Sequence, residues 1–118
     1  MDMPTENHGP LTPAVLHILL ALADGERHGY GIMQEIAQFT GGTFTLGPGT
    51  LYRSIKQMLE QGLIAETEAR ADPALDDERR RYYKLTGKGE RALHAELARL
   101  DALVSVGRTR TLKGGASL

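Results

Sequence analysis

Thr50, Arg53, Lys56 and Gln57 are the residues of this chain whose types and spacing suggest a binding chemistry. They lie three or four positions apart. At 100° per residue they share one face of a helix with Gly49, and Tyr52 sits at its edge. No acid interrupts the run from Pro48 until Glu60. An arginine can fork onto a guanine edge, and a glutamine can pair with an adenine edge. Threonine and lysine can donate to phosphates. Gly49 would let the backbone come close. Any surface helix carries a polar outer face, so taken alone this one reads sooner as solvated surface. Its position as a third helix after two short ones favours the reading surface.

Two further clusters point the same way. Arg79-Arg80-Arg81, with Lys84 behind, is placed to touch flanking phosphates or a minor groove if it lies on a hairpin. The alternative is a solubilising edge strand, and Asp76, Asp77 and Glu78 just before it offset its field. His28-Gly29-Tyr30-Gly31 opens a helix. Tyr30 there can donate to a phosphate or pack between helices.

Enzymatic chemistry finds no support. Gly47-Pro48-Gly49-Thr50 and Thr86-Gly87-Lys88-Gly89 lack the spaced glycines and the Lys-Ser/Thr pair of a phosphate loop. There is no cysteine, which excludes disulfides, thiolate catalysis and cysteine-based metal sites. His8, His17, His28 and His94 have no metal-ligand spacing with a partner, and His17 reads as structural. No catalytic residue, metal or cofactor is nominated.

The elements that would position these residues follow from helix and turn signals. Thr12-Pro13 caps and starts a first helix through Ala23, apolar nearly all round, ended by Asp24-Gly25. A second helix from His28 carries Ile32, Ile36 and Phe39 at helical spacing and stops at Gly41-Gly42. Gly47-Pro48 starts the third, whose stripe is Leu51, Ile55, Met58 and Leu59, with Gly62 ending it. Leu63–Ala69 and Arg80–Thr86 read as strands joined by a loop containing Asp72-Pro73. Thr86 caps a fourth helix in which Leu93, Leu97, Leu100 and Val104 form a heptad seam. Arg91, Glu96 and Arg99 lie off that seam, facing solvent. Gly107 ends the helix, and Arg108, Arg110 and Lys113 mark a basic tail.

Bulk properties set the limits. The chain has 118 residues, 41% hydrophobic and 25% charged, with no tryptophan. That length fits one domain with one appended element and an aliphatic core, and makes self-association a plausible source of stability. The net charge is −1, so bulk charge does not support nucleic-acid binding and the argument rests on local placement. No apolar run reaches the roughly 18 residues of a membrane span. Val15–Ala23 is too short and too late for a signal peptide, so the expected location is cytoplasmic.

His28-Gly29-Tyr30-Gly31-Ile32, Gly49-Thr50-Leu51-Tyr52, Gly62-Leu63-Ile64 and Arg80-Arg81-Tyr82-Tyr83-Lys84-Leu85-Thr86, followed by Gly89, occur in this order. On this ordered set the chain resembles the PadR-like transcriptional regulators, in their short class with one C-terminal helix. The resemblance implies repression of nearby genes, dimerisation through the last helix with help from the first, and release of DNA by a small hydrophobic or aromatic effector. It places Tyr30, Thr50, Tyr52, Arg53 and Lys56 towards DNA, and the wing at Arg79, Arg80 and Arg81. The chain departs from the pattern in two respects. The tryptophan that some relatives stack on flat ligands is absent, and the wing tip is acidic.

The expectation is therefore a mainly α chain with a small β-hairpin. Residues 1–10 form an arm and 11–86 a winged helix-turn-helix. Residues 87–107 form a dimerisation helix and 108–118 a disordered tail. The dimer interface is expected at Val15, Leu19, Leu22, Leu93, Leu97, Leu100 and Val104. The partners are double-stranded DNA and a second copy of the chain. The competing reading is a winged-helix protein-interaction module that does not bind DNA.

Overall fold

The computed structural model describes residues 10–67 and 81–110. The order is α1 (Pro13–Ala21), β1 (Arg27–His28), α2 (Gly29–Phe39), α3 (Pro48–Glu60), β2 (Ile64–Thr67), β3 (Tyr82–Leu85) and α4 (Gly87–Arg110). The strands form an antiparallel sheet in the order β1-β3-β2. This is the mainly helical, winged architecture expected, with a long last helix.

Local chemistry sets the helix starts. The Thr12 hydroxyl accepts from the Val15 N–H, and Pro13 fills the first turn, where no amide donor is needed. The His28 ring does the same for α2, its Nδ1 accepting from the Gly31 N–H at 2.8 Å. Gly62 follows α3 at φ +76°, the left-handed turn that frees the chain to enter β2.

One aliphatic core joins the elements. Ile18, Leu19, Leu22, Ile32, Ile36, Leu51, Ile55, Met58, Ile64, Tyr83 and Leu93 are all buried in it. Each such side chain contributes about 1.5–3 kcal/mol by leaving water. His17 is structural, as expected. Its Nδ1 lies 2.6 Å from the Pro13 carbonyl, and its ring stacks on Phe44 at 4.0 Å.

Arg27 ties α1 to α2. Its Nε donates to the Ala21 carbonyl at 2.8 Å, and its Nη2 lies 3.2 Å from Asp24 and 3.4 Å from Glu35. The same residue belongs to β1, a strand of two residues that helix and turn signals do not separate from the start of α2.

Two other expectations are corrected. Gly107 does not end α4, which runs on through Arg108 and Thr109 to Arg110. One glycine costs a helix about 1 kcal/mol, which does not stop an otherwise good helical run. Glu96 does not face solvent: it is 2% exposed. The Arg99 guanidinium meets its carboxylate through two donors, Nε to Oε1 at 3.0 Å and Nη2 to Oε2 at 2.7 Å.

That hydrogen-bonded guanidinium, aided by the Leu11 backbone and opposed by burial, holds the Glu96 carboxyl below its ordinary range. The depressed value stabilises the fold above the ordinary carboxylate range, and acid removes that stabilisation as pH falls through the folded-state value. The stability advantage of the wild type over Glu96→Gln should therefore shrink steadily below about pH 4.3. Denaturant unfolding of both proteins along a pH series checks this, and a constant difference would contradict it.

Candidate nucleic-acid interface

Helix α3 buries Leu51, Ile55 and Met58 and turns its other side outward. Gly49, Thr50, Arg53, Lys56 and Gln57 are all exposed, as the face predicted from spacing requires. Neither Arg53 nor Lys56 has an ion-pair partner among the described residues. In contrast Arg27, Arg81 and Arg99 are engaged by carboxylates. The N-cap residue of α3 is Gly47, which offers no side-chain cap, and Pro48 has no N–H. The amides of Gly49 and Thr50 are thus open to an acceptor such as a phosphate oxygen.

Tyr30 stands on the first turn of α2 with 59% of its surface exposed, and its ring lies 6.5 Å from that of His28. Tyr52 behaves differently. It is half-buried, and its ring and hydroxyl occupy the space that a Cβ on Gly29 would need. Gly29 therefore allows α3 to approach the start of α2, and Tyr52 serves packing at least as much as exposure. The rule that tyrosines flank a reading face did not distinguish these two. The missing signal was Gly29, a small residue at a close helix approach.

At the wing, Arg81 is exposed, and its Nε lies 3.4 Å from the Glu66 carboxylate across the hairpin. Tyr82, beside it, meets His28 edge-on at 5.3 Å, which joins the wing base to the start of α2. Arg79 and Arg80 lie outside the described residues, as do the acidic loop tip, residues 1–9 and residues 111–118.

The expected dimer residues divide into two groups. Leu19, Leu22 and Leu93 are buried in the chain's own core. In the single chain they serve that core. Val15 and Leu100 are half-buried, whereas Leu97 and Val104 are 38% and 41% exposed. Leu103, absent from the predicted seam, is more exposed than either. The division follows burial along α4, whose buried residues are Gly89, Ala92, Leu93 and Glu96, all in its first half. From Leu97 to Arg110 none of its residues is buried.

The start of α4 is fastened to the end of α3. The Thr86 hydroxyl lies 2.6 Å from the Gly62 carbonyl and 3.0 Å from that of Leu63, and it accepts from the Gly89 N–H. Lys88 Nζ donates to the Gln61 carbonyl at 2.9 Å. The exposed helix and the outer face of α3 are therefore parts of one connected frame.

Comparison with known proteins gives this frame relatives. The chain is 31% identical to the Transcriptional regulator Rv3488 of Mycobacterium tuberculosis over 102 residues, which cover 86% of this chain and 84% of that protein. Its fold matches a PadR family transcription regulator of Clostridium difficile with a TM-score of 0.67 at 23% identity, over 83% of this chain and 97% of that one. It also matches Bacillus subtilis PadR, solved in complex with operator DNA, with a TM-score of 0.63 at 21% identity. That match covers 86% of this chain and 64% of the Bacillus protein. The profile of the Transcriptional regulator PadR-like family covers residues 18–95, from the middle of α1 to the last turn of α4 that touches the core. With that profile over most of the chain and a regulator 31% identical over 86% of it, the chain belongs to the PadR-like family of transcriptional regulators.

Proposed function

We propose that this regulator is a repressor that binds an inverted-repeat operator as a homodimer, through the outer face of α3. The observation that carries the proposal is the exposed and unpaired state of Arg53 and Lys56 beside Thr50, Gln57 and the open amides of α3. That surface is open to phosphates, because among the described residues no ion pair of Arg53 or Lys56 must first be broken. It also favours DNA over a protein partner, the competing reading.

Residues 11–86 form the DNA-binding unit, and the projecting part of α4 forms the dimer. Leu97, Leu100, Leu103 and Val104 give it an apolar face that its own chain leaves uncovered. A second copy related by two-fold symmetry covers such a face with the same residues. A small hydrophobic effector would act on this same apolar seam. Among the described residues no helix is long and apolar enough to cross a membrane.

Selection from a random duplex pool tests the proposal. It should enrich an inverted repeat whose half-site centres lie about one helical turn, roughly 34 Å, or a multiple of it, apart. Enrichment of no sequence, or of a lone half-site, would overturn it.

The wing adds a smaller prediction. Glu66 competes with phosphate for Arg81, and an exposed pair of this kind is worth only about 0.2–1 kcal/mol. Glu66→Gln should therefore raise operator affinity by roughly two- to fivefold and steepen the salt dependence by up to about 1. If affinity and slope both stay at the wild-type values, the wing base does not touch DNA.

A further inference from the structure

His28 stands where three elements meet. It is the N-cap residue of α2, and its Nδ1 accepts from the Gly31 N–H at 2.8 Å. Its ring meets that of Tyr82 on β3 edge-on at 5.3 Å, and the β1–β3 register pairs the same two residues. It also lies 6.5 Å from the ring of Tyr30, the exposed tyrosine on the first turn of α2. The next residue, Gly29, is where Tyr52 of α3 closes on α2.

The cap dictates a protonation state. A backbone amide can only donate, so Nδ1 must keep its lone pair, and the neutral ring carries its one proton on Nε2. A second proton can go only to Nδ1. It would then face the Gly31 N–H, donor against donor, where the hydrogen bond had been. A capped α2 and a charged His28 therefore exclude each other. The other helices lack this property. Thr12 caps α1 through a hydroxyl, the Thr86 hydroxyl accepts from the Gly89 N–H at the start of α4, and α3 has no side-chain cap.

The surroundings disfavour the charged ring. The start of α2 is the positive end of its helix dipole. Arg27 precedes His28 on β1, and Arg81 precedes Tyr82 at the wing. The nearby carboxylates face other groups: Glu35 lies 3.4 Å from Arg27, Glu66 lies 3.4 Å from Arg81, and Glu26 accepts from the Thr67 hydroxyl at 3.2 Å. The remaining titratable groups at this junction are the hydroxyls of Tyr30, Tyr52 and Tyr82. The stabilisation from the cap is complete while the ring is neutral and is lost as pH falls.

We propose that His28 is a positioning residue whose protonation frees the start of α2, and with it Tyr30 and the wing base, so that the regulator releases its operator in acid. The inference rests on the DNA-binding reading above. Its sign is diagnostic. A histidine that merely touched a phosphate would bind more tightly in acid, because its new charge would add a phosphate contact.

Operator affinity at fixed salt, measured from about pH 8 to about pH 5, the range in which histidines change charge, tests the proposal. His28→Asn is the comparison, since asparagine caps helices well and does not titrate. On the selected operator the two proteins should bind within about threefold of each other at the upper pH. Over the series the wild type should lose at least about fivefold more affinity than the variant, the order of effect expected from losing a cap. The Gly31 amide resonance of the DNA-free protein reports the cap itself. It should move with pH in the wild type and stay in place in His28→Asn.

If His28→Asn does not fold, His28→Ser, another cap that does not titrate, carries the same expectation. Parallel pH profiles for wild type and variant, a wild-type affinity that rises in acid relative to the variant, or a Gly31 resonance indifferent to pH overturn the inference and leave the DNA-binding reading intact. Absence of operator binding by the wild type at any pH overturns both.

Discussion

Gly89→Ala should cost the fold about 3 kcal/mol. Gly89 lies in the first turn of α4, where its Cα faces the Leu63 backbone so closely that a methyl group would run into the Leu63 carbonyl. A flexible side chain would swing aside, but this carbonyl cannot. It accepts from the Thr86 N–H at 3.1 Å and lies 3.0 Å from the Thr86 hydroxyl. Moving it strains two hydrogen bonds worth about 1 kcal/mol each, in addition to an overpacking penalty of about 1–3 kcal/mol. The gain of alanine over glycine in a helix, about 1 kcal/mol, offsets part of this. Gly49→Ala is the control. It is also a helical glycine, but nothing lies within 4 Å of its would-be Cβ, so it should be neutral or stabilise by up to about 1 kcal/mol. Denaturant unfolding at one fixed protein concentration compares the two. Equal effects would mean that the α3–α4 junction is looser than described.

Leu97→Asp should convert the proposed dimer to a folded monomer and weaken operator binding by at least about 100-fold. Leu97 is exposed enough in the single chain for aspartate to remain hydrated there, so the monomer should keep its helical content. In a two-fold interface the substitution instead places two carboxylates in an apolar seam, where each loses its hydration without a partner. Binding then forfeits the gain from linking two half-sites, about 10²–10⁴. Sedimentation velocity and fluorescence anisotropy report the two effects separately. A variant that stays dimeric would place the interface elsewhere.

These predictions draw on different levels of the chain. The α3 face was legible because it needs only a start signal, Gly47-Pro48, and the helical period of its apolar stripe. The Thr12 cap and the turn at Gly62 were legible for the same reason, since each depends on neighbours a few residues away. β1 was not. Two residues carry no periodicity, and Arg27 and His28 become a strand only because Tyr83 and Tyr82 pair with them from far along the chain. The heptad in α4 correctly announced an apolar face, but a face does not name its neighbour. Leu93 is buried in its own core, whereas Leu97 is 38% exposed. Glu96 was misplaced by the same gap, because its burial is set by how α4 packs in the folded chain. Tyr52 and Tyr30 looked alike until Gly29 showed which one packs.

The central claim is that α3 reads DNA through Arg53 and Lys56. Operator affinity measured across a salt titration for Arg53→Ala and Lys56→Ala tests it most directly. The account predicts weaker binding for both, with the salt slope reduced by about 1 for each phosphate that the variant no longer neutralises. Two folded, dimeric variants with wild-type affinity and wild-type slope would contradict it.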